Sequence, residues 1–542
     1  MISRKKTGTG QAFVSGVLIL SVSNVAVKII GLLCKIPLLR YLGAEGMGYY
    51  NSAYEIYALL CVIATAGLPL ALSMTVSEKN ASGLEHENKR VYSTAFGIFS
   101  VLGLIGTAIM LFGASALSDL IGNPDSARCM IAIAPTLFFI CVSSAVRGYF
   151  QGLGNMIPTA VSQILEALGK LILGVGFAMW ALKRGESMPY VAAMAVFGLS
   201  LGTAASFIYL LIAKKRSDAK SHQDLANTDA ETAKKGRRSI AAGLARIAIP
   251  VTVSSSVLSF TRVADTALIL RRLRDTGYSL SEANRIFGSY TTLAVPLFSL
   301  PASLIAAVAL SLVPSLVSAI NSKDPRQQRS IISSSVKMTA FAAIPASIGL
   351  SLFSRPILQI IFARSGDTSA IDIAAPLLSV LGASVFLSCM MTTTNAVLQS
   401  YGLERKPMIS MVAGAVVKVI SAYLLMGIKP VNIYGAPIST FLCSLTVISI
   451  NLYYLGKKTP WFECSGKGVV GMLGCSVLSA AISYAVYILL GANTVAAIVA
   501  MLIMVVVYLL LSLRFGGFEK HEIEMLPGSS KIYLLMNRRK QK

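Results

Sequence analysis

Charged side chains set inside long apolar runs are the residues of this sequence that could do chemistry. Lys28 falls midway along the first such run, and Glu55 lies a turn or two inside the second. Glu166 and Lys170 share one helix face at i,i+4, while Arg262 and Asp265 are spaced i,i+3. Lys418 stands alone in a later run. An ionised group at mid-bilayer costs several kcal/mol unless it meets water or a partner, so such residues mark a cavity or a pathway. Glu166–Lys170 and Arg262–Asp265 can also be read as self-neutralising pairs that make buried helices tolerable. Lys28 and Lys418 have no acidic neighbour on their own segments. Together with Arg262 and Lys170 they predict a cationic central cavity, suited to a phosphate or pyrophosphate group held by charge-assisted hydrogen bonds. Glu55, Asp265 and Glu166 would supply counter-charge or ion coupling. Arg147, at the cytoplasmic end of its run, is expected only to snorkel.

The elements that position these charges must be membrane helices. The 542 residues are 55% hydrophobic and 13% charged, with a mean hydropathy of +0.69. Runs of about 20 apolar residues recur along the whole chain, each long enough to span a bilayer as a helix. The net charge of +24 lies mainly between those runs, which fits positive-inside topology and argues against nucleic acid as a partner. The eight cysteines are scattered without a CxxC, and His86, His222 and His521 fall in separate polar connections, so no metal site is expected. No P-loop, GxSxG, HExxH or soluble paired-carboxylate signature occurs. The chain therefore reads as a non-enzyme without cofactors. Its transport would be secondary, driven by H+, Na+, membrane potential or the substrate's own gradient.

The fold class expected is an all-α polytopic membrane protein of about 14 transmembrane helices. The spans fall near 11–34, 49–76, 91–113, 129–150, 158–182 and 188–213, then 241–270, 286–319, 331–353, 371–398, 407–427 and 431–455. Two more follow at 467–491 and 493–513. A retained signal-anchor helix follows the basic N-terminus. Residues 214–240 are polar, unpatterned and basic at both ends, and read as a linker. The domain scheme is a six-helix lobe at 1–213, that linker, a second lobe at 241–456, two extra helices within 457–513, and a basic tail at 514–542. Counting Lys and Arg by alternate connections puts about 29 inside and about 11 outside when both termini are cytoplasmic.

A repeat supports the two lobes. The stretch 143–171 returns at 391–420, with Gln151 matching Gln399, Gly154 matching Gly402, Pro158 matching Pro407 after one insertion, and Lys170 matching Lys418. Val91 and Ile331, and Ala134-Pro135 and Ala375-Pro376, keep a similar offset. With an even number of spans per half, the halves would be parallel repeats. Pro69, Pro250, Pro296, Pro301, Pro314 and Pro345 are candidate kinks.

KIIGLLCKIPLLRYLGAEGMGYYNSAYEIY (Lys28–Tyr57), AGLPLALSMTVSE, RGYFQGLGNMIPTAVSQILE and RVADTALILRRL together resemble the polysaccharide-biosynthesis flippases. The likeness is to the stage V sporulation protein B family and its lipid II flippase relatives, in the multidrug/oligosaccharidyl-lipid/polysaccharide exporter superfamily. It covers nearly the whole chain. The resemblance implies twelve core helices in two lobes, two additional C-terminal helices, and alternating access to an undecaprenyl-pyrophosphate-linked sugar. In the Gram-negative lipid II flippases the first span carries essential arginines. Lys28 matches the first in cationic form, and the next falls at about Cys34 or Lys35. Arginines of the second and eighth spans would fall near Cys61-Val62 and within 291–299, where no cation occurs.

The expectation is therefore a monomeric flippase of a bacterial plasma membrane, with membrane lipids and a lipid-linked oligosaccharide as its partners. A cation-coupled multidrug exporter of the same superfamily is the alternative. Such a site should be rich in acidic and aromatic residues to hold cationic drugs. A membrane-embedded glycosyltransferase would need a large outward loop carrying acidic residues, and no outward connection is long enough.

Overall fold

Gly43 decides the shape of the first helix. The computed structural model describes residues 6–82, 87–220, 230–458 and 466–515. Helix α1 runs Lys6–Thr65, 60 residues. Straight, it would be about 90 Å long, against a hydrocarbon core of about 30 Å. At Gly43 the backbone turns to φ 62°, ψ −180°, which only glycine adopts without strain, and two spans are made from one run. The amide of Ala44, opening the second half, donates to Asp367 Oδ2 at 3.1 Å, a side-chain cap on a new helix start.

The remaining helices are α2 (Leu68–Ala81), α3 (Asn88–Phe112), α4 (Ala114–Leu120), α5 (Ala127–Gly152), α6 (Ile157–Lys183), α7 (Met188–Lys220), α8 (Ala230–Asp275) and α9 (Leu280–Ser289). They continue as α10 (Val295–Asn321), α11 (Pro325–Leu352), α12 (Ser354–Phe362), α13 (Thr368–Ser400), α14 (Arg405–Met426), α15 (Gly435–Lys458), α16 (Gly466–Leu489) and α17 (Thr494–Phe515). Among the described residues 13 helices are long and apolar enough to cross a membrane. The first of these, Val22–Asn80, covers the end of the first expected span and all of the second, and counting it as two gives the fourteen read from sequence. The chain is an all-α, multi-pass membrane protein.

The described residues form two compact units. Unit 1 comprises Met1–Thr292, Arg364–Ala370 and Met426–Asn432; unit 2 comprises Leu293–Ala363, Ile371–Leu425 and Ile433–Lys542. Compactness and sequence repeat therefore divide the chain differently, because α8 packs within unit 1. Leu244 and Ala248 of α8 join Leu72, Val76, Val91, Phe99 and Tyr149 in one buried cluster. Helix α5 is the axis of unit 1, buried over most of its length against α2, α3 and α7. In unit 2, α16 and α17 pack through Ala480, Ala500 and Met504 onto Phe353, and Tyr508 donates to the carbonyl of Phe341 at 2.9 Å.

The repeated hairpin has the same backbone in both copies. Gly154 (φ 77°) donates to Gln151 O at 2.9 Å, and Asn155 N reaches Phe150 O. In the copy, Gly402 (φ 69°) donates to Gln399 O at 2.9 Å, and Leu403 N reaches Leu398 O. Each is a helix C-terminus closed by a left-handed glycine, followed by a helix carrying proline near its start.

Two expectations change. Residues 214–240 do not read through as an unpatterned linker, since α7 continues to Lys220 and α8 begins at Ala230. The helix is held there by Lys214, which bonds Asp218 one turn on at 2.7 Å and lies over the rings of Tyr92 and Tyr149. Residues 221–229, the tail from 516 onward and all three histidines lie outside the described residues. The eighth span does not start at 286: α9 opens at Leu280 with a capping box between Ser279 and Glu282, and a π-helical turn, Tyr290–Ala294, separates it from α10. Of the six candidate kink prolines, Pro69 follows the break at Ala66-Gly67 and Pro296 follows the π turn, while the rest sit inside helices.

Candidate functional site

A polar cluster in unit 1 forms where both halves of α1 meet α6 and the π turn. A π turn widens the helix and takes backbone groups out of the regular ladder. Lys35 Nζ donates to the carbonyl of Thr291 in that turn at 3.2 Å. From the second half of α1, Asn51 Nδ2 reaches Thr291 Oγ1 at 2.9 Å and Thr292 Oγ1 at 2.8 Å. Asn51 is buried, so these bonds satisfy a group that would otherwise destabilise the core.

Lys170 enters from α6. Its ammonium lies 4.9 Å from the centroid of the Tyr54 ring and 5.6 Å from that of Tyr50. The two rings stack, and Tyr57 continues the row at 5.6 Å from Tyr54. Lys170 and Glu55 both lie within electrostatic range of Lys35. Lys35 thus stands within range of a second amine and of a carboxylate, and the tyrosine faces supply further negative potential beside Lys170.

Glu166 is placed differently from the reading that paired it with Lys170. Its carboxylate bonds Arg147 Nη2 of α5 at 3.0 Å. Arg147 also donates from Nε to Ser162 Oγ at 2.9 Å and from Nη2 to Ser206 Oγ at 3.3 Å, tying α5 to α6 and α7. Arg147 is buried and does not merely snorkel. The pairing is between helices, which spacing along one helix cannot predict.

Of the other predicted site residues, Lys28 is exposed and seven residues before Lys35, hence on the same face of α1 and about 10 Å away along its axis. Arg262 is exposed and Asp265 half-buried, both on α8. Lys418 is half-buried on α14 in unit 2. The structure places Lys170 and Glu55 within electrostatic range of Lys35, and binds Glu166 into an ion pair with Arg147. Lys35 and Asn51 are absent from the sequence-derived site. The spacing of Lys28 to Lys35 was a usable signal for the first; nothing marked the second. Lys337, buried on α11, also sits inside a predicted span.

Two further polar features belong to unit 1. Asn123 and Asn284 exchange amide hydrogen bonds at 2.7 and 3.1 Å, and Asn123 also donates to Ser52 Oγ at 2.9 Å. A pocket of about 730 Å³ at the Gly43 break is lined by Arg40, Glu45, Arg285 and Asp367, a balanced set of charges.

The family model described as polysaccharide biosynthesis protein matches residues 13–320, and one described as MatE matches residues 289–424. Stage V sporulation protein B of Bacillus subtilis (strain 168) is 25% identical over 525 residues, 95% of this chain and 98% of that protein. Lipid II flippase MurJ of the same organism is 25% identical over 537 residues, covering 95% and 97%. Among solved structures, lipid II flippase MurJ in an inward closed conformation superposes with a TM-score of 0.69 at 16% identity, covering 92% of this chain and 98% of that one. An inward-facing multidrug resistance MATE family transporter of the MOP superfamily gives 0.66 at 14% identity, covering 82% and 100%. At those identities the structures establish the fold.

Proposed function

The chain belongs to the polysaccharide biosynthesis protein family, and from that premise we propose that it is a flippase for a lipid-linked precursor. The cargo is an undecaprenyl-pyrophosphate-linked peptidoglycan or polysaccharide unit, moved outward across the bacterial plasma membrane by alternating access, with both termini cytoplasmic. The observation that supports this reading is the placing of the Lys35 and Lys170 amines within electrostatic range of one another in the interior of unit 1. An ammonium carries three donors, and one of those of Lys35 goes to Thr291. In this reading the cluster grips the pyrophosphate, Lys28 extends it along the face of α1, and Arg262 and Lys418 are further contacts along the route. Glu55 sets the charge balance and, with Asp265, is the place for ion coupling. Glu166 supplies counter-charge to Arg147. The names of the relatives, a lipid II flippase and a sporulation protein, support the substrate class.

The test is complementation of a strain depleted of its lipid II flippases, scored by precursor reaching the outer face. A charge-assisted contact contributes about 1.5–3 kcal/mol, so Lys35→Gln and Lys170→Gln should each reduce translocation roughly tenfold or more. Wild-type translocation by the double variant at normal protein level would overturn the assignment. The second reading, a cation-coupled multidrug exporter, draws on the MatE match. A cluster that grips pyrophosphate repels cationic drugs, so expression should leave drug susceptibility unchanged.

A further inference from the structure

Helices α6 and α7 pack unusually closely: a Cβ at Gly198 would collide with Gly174, and one at Gly169 with Gly202. Beside that contact the side chains diverge. They leave a groove of about 330 Å³, almost wholly apolar, lined by Ile172, Gly176, Phe177, Trp180 and Met194. Ile172 is 66% and Trp180 41% exposed, so the groove opens outward from unit 1 on spans of strongly apolar sequence, where acyl chains are the surrounding medium. At its upper end, one turn after Trp180, the guanidinium of Arg184 lies 4.1 Å from the centroid of the indole. Stacking of this kind fixes the guanidinium plane while its N–H edge stays available to an oxyanion. The turn also carries Lys183, and Arg128 reaches it through Ser187 at 3.5 Å; Glu186 is its one carboxylate. Three cations against Glu186 and, one turn before Arg128, Asp125 leave a net positive charge that offsets the partial negative charge of the α6 C-terminus. On the proposed orientation this end faces outward, where cations are disfavoured, so their presence there calls for an anionic partner.

We propose that this groove is a binding site for an anionic glycerophospholipid, with one acyl chain lying along Ile172, Gly176 and Trp180 and the phosphate held by Arg184. The site lies apart from the Lys35–Lys170 cluster; it rests on the proposed orientation and not on the identity of the cargo. Gly176 is what makes room for the chain: nothing lies within 4 Å of a Cβ built there.

The chain has two tryptophans, Trp180 and Trp461, so Trp461→Phe turns the full-length protein into its own probe. Reconstituted with brominated phosphatidylglycerol or brominated phosphatidylcholine at equal mole fraction, Trp180 should be quenched with about fivefold stronger apparent association by the anionic lipid. Arg184→Gln should reduce that ratio to about one, and Gly176→Phe should weaken quenching by both lipids while elution from size exclusion stays unchanged. An interfacial tryptophan without a site is quenched equally by both headgroups, and that result overturns the proposal. So does a preference that survives Arg184→Gln, or displacement by polyprenyl phosphate at lower mole fraction than by unbrominated phosphatidylglycerol, which would assign the groove to the cargo.

Discussion

Replacing Glu166 by glutamine removes a charge and keeps the shape, and so isolates what the ion pair with Arg147 does. The two side chains, of Arg147 and Glu166, are 10% and 21% exposed and sit 3.0 Å apart. Removing one partner of such a pair strands the other charge, at a cost of about 3–5 kcal/mol. The introduced amide would still accept one hydrogen bond, and Ser162 and Ser206 would still hold the guanidinium, which puts the loss near the lower end, about 3 kcal/mol. At about 2 °C per kcal/mol for a large domain, the midpoint of thermal unfolding should fall by about 6 °C. Detergent-solubilised protein, heated and assayed by size exclusion, reads this directly. Arg147→Met combined with Glu166→Met should return to within about 2 °C of wild type, because an apolar pair of similar volume carries no stranded charge. A Glu166→Gln midpoint within about 1 °C of wild type, or a double variant that loses the sum of its singles, would refute the reasoning.

Gly154→Ala and Gly402→Ala should each destabilise by about 1 kcal/mol, through backbone conformation alone, since open space surrounds both positions. Matched losses in thermal unfolding would support the equivalence of the two hairpins, and a loss at one position only would count against it. For the orientation, Asn155→Cys and Glu186→Cys place exposed thiols at opposite ends of α6. With cytoplasmic termini, an impermeant maleimide added to whole cells should label the Glu186→Cys variant, and should reach the Asn155→Cys variant only after permeabilisation; the reverse pattern would invert the topology.

The number and order of spans were legible because each must bury about 20 apolar residues in lipid, and that demand is written locally. The hairpin turns were legible for the same reason, since a left-handed glycine and a following proline act within a few residues. What sequence could not supply were partnerships between helices. Glu166 has Lys170 on its own face, yet it bonds Arg147 on α5, which approaches only after packing. Lys35 was one of two positions, with Cys34, where the resemblance put a first-span arginine, and its hydrogen bond depends on a π turn some 250 residues later. Nor did the repeat indicate that α8 would pack within unit 1, because homology of halves does not dictate which surfaces bury each other.

The reciprocal amide contact of Asn123 and Asn284 joins the turn before α5 to α9 without a formal charge. The membrane field does work in proportion to the charge it moves, so it does almost none on this contact. A side-chain amide has no proton to gain or lose in the physiological range, and salt, which screens over a Debye length of about 8 Å, acts weakly on a buried dipole pair. The contact itself is therefore electrically silent, in contrast to the charged groups Arg40, Glu45, Arg285 and Asp367 that line the neighbouring pocket at the Gly43 break.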